Sequence, residues 1–235
     1  SNTTASNNTA VGYQSLYSNV TGTRLTAIGV GAGYSNTGSY NTFLGNYAGR
    51  NNTSGAQNTF VGDYSAGNGT VTGSYNTGVG QYSFSALTSG ANNVAVGQSA
   101  LETNTTGSYN IAVGCQAGYK NTTGASNVSI GYNAGSAITT GNGNIAIGQN
   151  TLCVGTSTGL YNIAIGYGTA ANITTGSYNV AIGGADGSGS PALYANSTGQ
   201  YNVAVGNGSL FSNTTASANT AVGYQAAYSN TTGQI

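Results

Sequence analysis

One five-residue phrase, asparagine, any residue, a small residue, an aliphatic residue, then glycine, returns so regularly that it constrains the fold before any other feature. Its glycine falls at Gly12, Gly29, Gly45, Gly62, Gly80, Gly97, Gly114, Gly131, Gly148, Gly166, Gly183, Gly206 and Gly223. The asparagine is kept in every copy but the second, where Leu25 replaces it. A further glycine closes each unit, for example at Gly22, Gly107, Gly124 and Gly233, with Ala216 the exception. Two marks in step over the whole chain are an internal repeat rather than low complexity.

The usual spacing is 17 residues, too few for a helical hairpin but enough for one coil of a solenoid with two short strands and two turns. The expected fold is therefore all-β: a parallel β-solenoid, or β-roll, of about thirteen coils, forming a single array over residues 1–235. Coils stacked at roughly 4.8 Å would make thirteen of them span on the order of 60 Å.

Strand alternation puts the second and fourth motif positions on one face. The fourth is always Val, Ile or Leu, so the sequence predicts that it points inward as an aliphatic ladder. Val113, Ile130 and Ile147 are central members, framed by Asn110, Gly114, Asn127, Gly131, Asn144 and Gly148. The third position is mostly Ala, which suggests a close neighbour on that face too. The repeated asparagine suits a hydrogen-bonded side-chain ladder. Phe43 and Phe60 occupy the same place in adjacent coils and are expected to stack. The motif glycine fits a bend with positive φ or a backbone with no room for a Cβ. One coil carries few aliphatic residues, so a shared axis between several chains is expected.

Composition then removes whole classes of function. The charged residues are Arg24, Arg50, Lys120, Asp63, Glu102 and Asp186, giving net charge zero. Three scattered cations make no basic patch for nucleic acid. There is no His, which excludes Ser–His–Asp and Cys–His sites. Three acids in different coils make no paired-carboxylate site. Zinc is not expected from Cys115 and Cys153 alone. These two lie in different coils at different register, so no disulfide is expected between them. Neither a cofactor nor an enzymatic activity is predicted. No apolar run approaches the ~20 residues of a membrane span. The first residues read as mid-turn, as expected of a piece of a longer protein, and Ser212–Gln225 repeats Ser1–Gln14 but for Ala218 against Asn7, which reads either as recent duplication among coils or as a superrepeat that would suit a long fibre.

The pattern Asn-x-small-Ile/Val-Gly-x-x-Ala, at Asn127 to Ala134 and Asn219 to Ala226, resembles the head repeats of trimeric autotransporter adhesins. It is also similar to longer repeats in phage and bacterial tail-fibre proteins. The resemblance covers the whole chain, although the adhesin repeats are somewhat shorter. In the adhesins it implies a left-handed parallel β-roll, assembled as a homotrimer on a cell surface.

Three features depart from the bare repeat. The eleventh coil carries six extra residues within 184–199, read as an extruded contact loop holding Pro191, Leu193 and Tyr194. Asp186 there is a lone acid, too little for a calcium repeat. Tyr40, Tyr75, Tyr109, Tyr161, Tyr178 and Tyr201 precede the motif asparagine and read as surface rings over the turn, with sugar stacking as the alternative. Asn-x-Ser/Thr triplets are dense, and Asn19, Asn104, Asn121, Asn172, Asn196, Asn213 and Asn230 are candidate glycosylation sites on exposed turns.

The expected function is an extracellular structural or adhesive fibre segment, on a cell surface or attached to a virion. Its expected partners are copies of itself, and surface glycans or a host receptor. The alternative is the receptor-binding shaft or head of a phage tail fibre. An ice-binding solenoid needs an unbroken Thr row, and the Thr of the motif gives way to Val94, Ile111, Val128, Ile145, Ile163 and Val180.

Overall fold

The computed structural model describes residues 4–185 and 189–233. The chain divides into two compact units, Ser1–Gln116 and Ala117–Ile235. The strands of unit one are β1 (Thr9–Val11), β2 (Thr26–Ile28), β3 (Thr42–Leu44), β4 (Thr59–Val61), β5 (Thr77–Val79), β6 (Val94–Val96) and β7 (Ile111–Val113). Unit two holds β8 (Val128–Ile130), β9 (Ile145–Ile147), β10 (Ile163–Ile165), β11 (Val180–Ile182), β12 (Val203–Val205) and β13 (Thr220–Val222). Within each unit the strands pair in chain order, all parallel. Equivalent residues lie opposite one another, as in Phe43↔Phe60 and Ala164↔Ala181. Each unit is thus a parallel β-solenoid with one strand per coil.

Among the described residues the expected second strand is absent. Outside the named strands, the bridges are single pairs at Asn52↔Val71 and Ile138↔Ser157. The reason lies in the backbone. In the sixth coil Asn92, Ser99 and Leu101 have φ of 59°, 56° and 49°, and the same three places are left-handed in coil after coil. An L-residue held there costs about 1–2 kcal/mol, and alternation with right-handed residues breaks any extended run. Such a coil persists because its neighbours over-determine it. Leu16 N donates to Ala32 O of the next coil at 3.0 Å, and Gly31 N donates to Tyr13 O of the preceding one at 2.8 Å.

The strands also face the opposite way from the sequence expectation. The middle residue points in: Ala27, Phe43, Phe60, Ala95, Ala112, Ala146 and Ala164 are fully buried. The aliphatic fourth position points out. Ile28, Leu44, Val79, Val96, Val113 and Ile130 keep 37–43% of their surface exposed, and Ile147 is half-buried. Inside the coil, the strand centre shares its space with a residue across the coil, so the two exchange volume. Where the strand centre is Ala95 or Ala204, the left-handed position six residues on is Leu101 or Leu210, both buried. Where the centre is Phe43, that position is Gly49, and a Cβ there would lie 2.2 Å from the Phe43 ring. Gly78 reverses the arrangement and faces Phe84. Phe43 and Phe60 stack at 6.1 Å, and Phe84 meets Phe60 edge-on.

Two devices set the close stacking of coils. The motif glycine has no room for a side chain: at Gly97, φ is +134° and a Cβ would fall 2.5 Å from Gly114 O. The motif asparagine is buried and spans coils. Asn144 Oδ1 accepts from Asn162 N at 2.9 Å, and Asn144 Nδ2 donates to Gly159 O at 2.9 Å. The same step recurs at Asn110 N to Asn93 Oδ1 (2.8 Å) and at Asn179 N to Asn162 Oδ1 (3.0 Å). Buried polar groups need such partners.

Candidate functional site

The outward strand face is the most distinctive surface. β-Branched and aliphatic residues favour extended backbone, and the buried Ala or Phe between them fixes their direction. Two columns result. One runs through the third strand residues, from Val11 to Val113 in unit one and from Ile130 to Val222 in unit two. The other runs through the first strand residues. In unit one it begins with Thr9, Thr26, Thr42, Thr59 and Thr77, then turns to Val94 and Ile111. In unit two Val128, Ile145, Ile163, Val180 and Val203 precede Thr220. No charged residue occurs in either column. Parallel sheets are ordinarily covered on both faces, and a contiguous exposed apolar face marks an interaction site.

The tyrosines before the asparagine are exposed, as expected. Tyr161, Tyr178 and Tyr201 form a continuous stack, with centroids 5.4 and 5.1 Å apart and interplanar angles of 22° and 5°. Both faces of Tyr178 are thereby covered by its neighbours, leaving ring edges and hydroxyls to solvent. That geometry does not offer Tyr178 to a sugar face. Further stacks run outside the core, Tyr17–Tyr34 and Tyr194–Phe211–Tyr228. Arg24 and Arg50 lie over the Tyr40 and Tyr47 rings at 5.0 and 4.9 Å.

The contact loop is corrected by the structure. Leu193 and Pro191 are buried rather than extruded; of the three residues only Tyr194 is exposed. Leu193 occupies the same left-handed core place as Leu210, with φ 52°. Ser190 O accepts from Gly208 N at 2.8 Å, so the regular path has resumed by Ser190 and the extra residues precede it. Pro191 stands where other coils supply an N–H to the preceding coil. Ala185 N replaces it, donating to Tyr167 O at 2.9 Å. Asp186, the lone acid of the calcium reading, lies outside the described residues. A cleft of about 320 Å³ opens beside the insertion, lined by residues that include Cys153, Val154, Tyr167, Pro191 and Tyr194. Burial raises the Cys153 thiol pKa. Cys153 and Cys115 are both free.

The glycosylation reading also needs correction. Asn19, Asn104, Asn121, Asn196 and Asn213 are interior, at most 2% exposed. Each donates from Nδ2 to the carbonyl three residues on, for example Asn104 to Gly107 O at 3.0 Å. The motif asparagine reaches the same carbonyl: Gly107 O also accepts from Asn93 Nδ2 at 2.9 Å. A glycan on these nitrogens would displace those bonds and has no space. Asn172 is half-buried and donates to Tyr194 O at 2.9 Å. Asn230 sits in the last described turn and is partly exposed.

Among the described residues no helix is long and apolar enough to cross a membrane. Comparison with protein-family models, curated proteins and solved structures finds no match to this chain.

Proposed function

We propose that this chain is a segment of an extracellular structural or adhesive fibre, a repetitive solenoid whose outward aliphatic face packs against further copies of itself. One observation carries the reading: the third strand residues form an uncharged, outward aliphatic column through each unit. A second copy suits this face, because it brings the same spacing between coils and no like charge to repel. Three copies around a shared axis agree with the resemblance to adhesin heads. In the tail-fibre variant of the reading, receptor contacts fall beside the six-residue insertion within 184–199, where the sequence departs most from the repeat length. No enzymatic role is proposed.

Electron microscopy with image averaging of the purified chain tests this. Discrete particles of three chains are the expected result. Continuous filaments would make the chain a polymerising subunit. Singly dispersed chains at all concentrations would overturn self-association.

A further inference from the structure

We infer that the stacked tyrosines Tyr161, Tyr178 and Tyr201 form a site of oxidative cross-linking, where coils of one chain become joined through dityrosine. The inference goes beyond the fibre reading and does not depend on it. Tyr178 and Tyr201 lie 5.1 Å apart and within 5° of parallel; Tyr161 adds a second pair at 5.4 Å. All three rings are exposed, at 54%, 45% and 59%, so an oxidant reaches their hydroxyl edges. Their order along the stack is fixed by the strand register below it, Ile163↔Val180 and Val180↔Val203. Two radicals formed in this stack therefore meet each other before they meet another chain.

The oxidant belongs to the class of haem peroxidases using hydrogen peroxide. Each ring loses one electron and its phenolic proton, giving a phenoxyl radical. The two radicals pair in a new carbon–carbon bond between Cε atoms, ortho to the oxygens. The hydrogen on each of those carbons then moves to its oxygen and restores the phenol. One hydrogen peroxide takes up the two electrons and two protons and leaves as two waters. The product joins two coils covalently along one edge, at a cost of two hydrogens per bond.

The molecule contains its own control. Tyr75 and Tyr109 hold the equivalent position and are as exposed, at 57% and 64%, but the repeats before and after them in the sequence place Gln57, Asn92 and Ser126 there instead of tyrosine. Exposure alone would cross-link them as readily; stacking geometry would not.

The full chain is treated with a haem peroxidase and hydrogen peroxide. The single-chain fraction is then digested and its cross-linked peptides identified by mass. The expected products are 161–178 and 178–201 links within one chain, together with a 17–34 link from the Tyr17–Tyr34 stack at 5.1 Å and 10°, each two hydrogens lighter than its parent peptides. Tyr178→Phe keeps the stacked ring but cannot form the phenoxyl, so both links at Tyr178 fall to background while the circular dichroism spectrum is unchanged. Dityrosine found only between chains, in equal yield at Tyr75 or Tyr109, or absent from the folded chain would each overturn the inference. If Tyr178→Phe fails to fold, the comparison with Tyr75 and Tyr109 in the parent chain still decides.

Discussion

The two units build the same coil with different side chains. Unit one fills part of its interior with three phenylalanines, Phe43, Phe60 and Phe84, and sets glycine or alanine across from them. Unit two uses alanine at nearly every strand centre and fills the space with Leu152, Leu193, Leu210, Ile138 and Ile173. The outward columns differ as well: the first strand residues are Thr in β1–β5 and Val or Ile in β8–β12. The lesson is that the backbone fixes the volume of a coil while leaving open which of two facing positions supplies it. On the outward strand face, where that limit is absent, unit one carries five threonines among fourteen positions and unit two one among twelve.

The sharpest break of this comparison is one that spares neither unit. Gly97→Ala places a Cβ 2.5 Å from Gly114 O, and Gly206→Ala places one 2.5 Å from Gly223 O. Each also forces a positive φ on alanine, so a loss of about 3 kcal/mol or more is expected in both. Thermal unfolding followed by circular dichroism measures it.

Core substitutions should separate the units by partner. Phe60→Ala is expected to cost about 3–5 kcal/mol and Leu210→Ala about 2–5 kcal/mol. The informative experiment is a swap in the third coil. Gly49→Leu alone collides with Phe43, and Phe43→Ala alone leaves a cavity. Together they reproduce the Ala204–Leu210 arrangement of unit two, so most of the lost stability should return as a coupling in a double-mutant cycle. Additive losses in denaturant melts would contradict facing-volume compensation.

Asn144→Ala removes a donor to Gly159 O and the acceptor of Asn162 N. About 2 kcal/mol is expected, with a matching loss for Asn93→Ala in unit one. Hydrogen exchange at the amides of Asn162 and Asn110 should rise locally in the respective variants.

The smallest effect on chain stability belongs to the outer face. Ile147→Asp should change the unfolding free energy of a single chain by about 0.5 kcal/mol or less, and Thr77→Asp by a similar amount. Their effects on association should differ, with Ile147→Asp the more damaging because the outward positions of β8–β12 in unit two carry no polar residue.

The class of fold was legible because periodicity at a fixed spacing needs no knowledge of facing. Facing was not legible from hydrophobicity. Val113 and Ile130 look more like core than Ala112 or Ser129, yet the small residues are inside. A one-residue error in phase inverts a whole strand, and the inward position was marked by volume exchange between residues six apart, such as Phe43–Gly49 against Ala95–Leu101. The missing second strand was hidden because Tyr, Gln and Leu do not announce left-handed backbone as Gly does. The buried asparagines did leave a signal. The place held by Asn19, Asn104 and Asn121 is taken by Leu87, Ile138 and Ile173 in other coils, all buried. A position that exchanges Asn with Leu or Ile is an interior one, whatever triplet follows it. The inner end of the insertion could not be phased, since Pro191 in a turn reads as loop until the Ser190 carbonyl is seen to accept from Gly208 N.

The central claim is that the aliphatic column points out of the solenoid and is covered by another copy. Sedimentation velocity of the parent chain beside Ile147→Asp tests it most directly. The account predicts a discrete multi-chain species for the parent and a folded single chain for the variant, with matching circular dichroism spectra. A parent that sediments as one chain at every concentration, or a variant that unfolds as though a core residue had been charged, would contradict it.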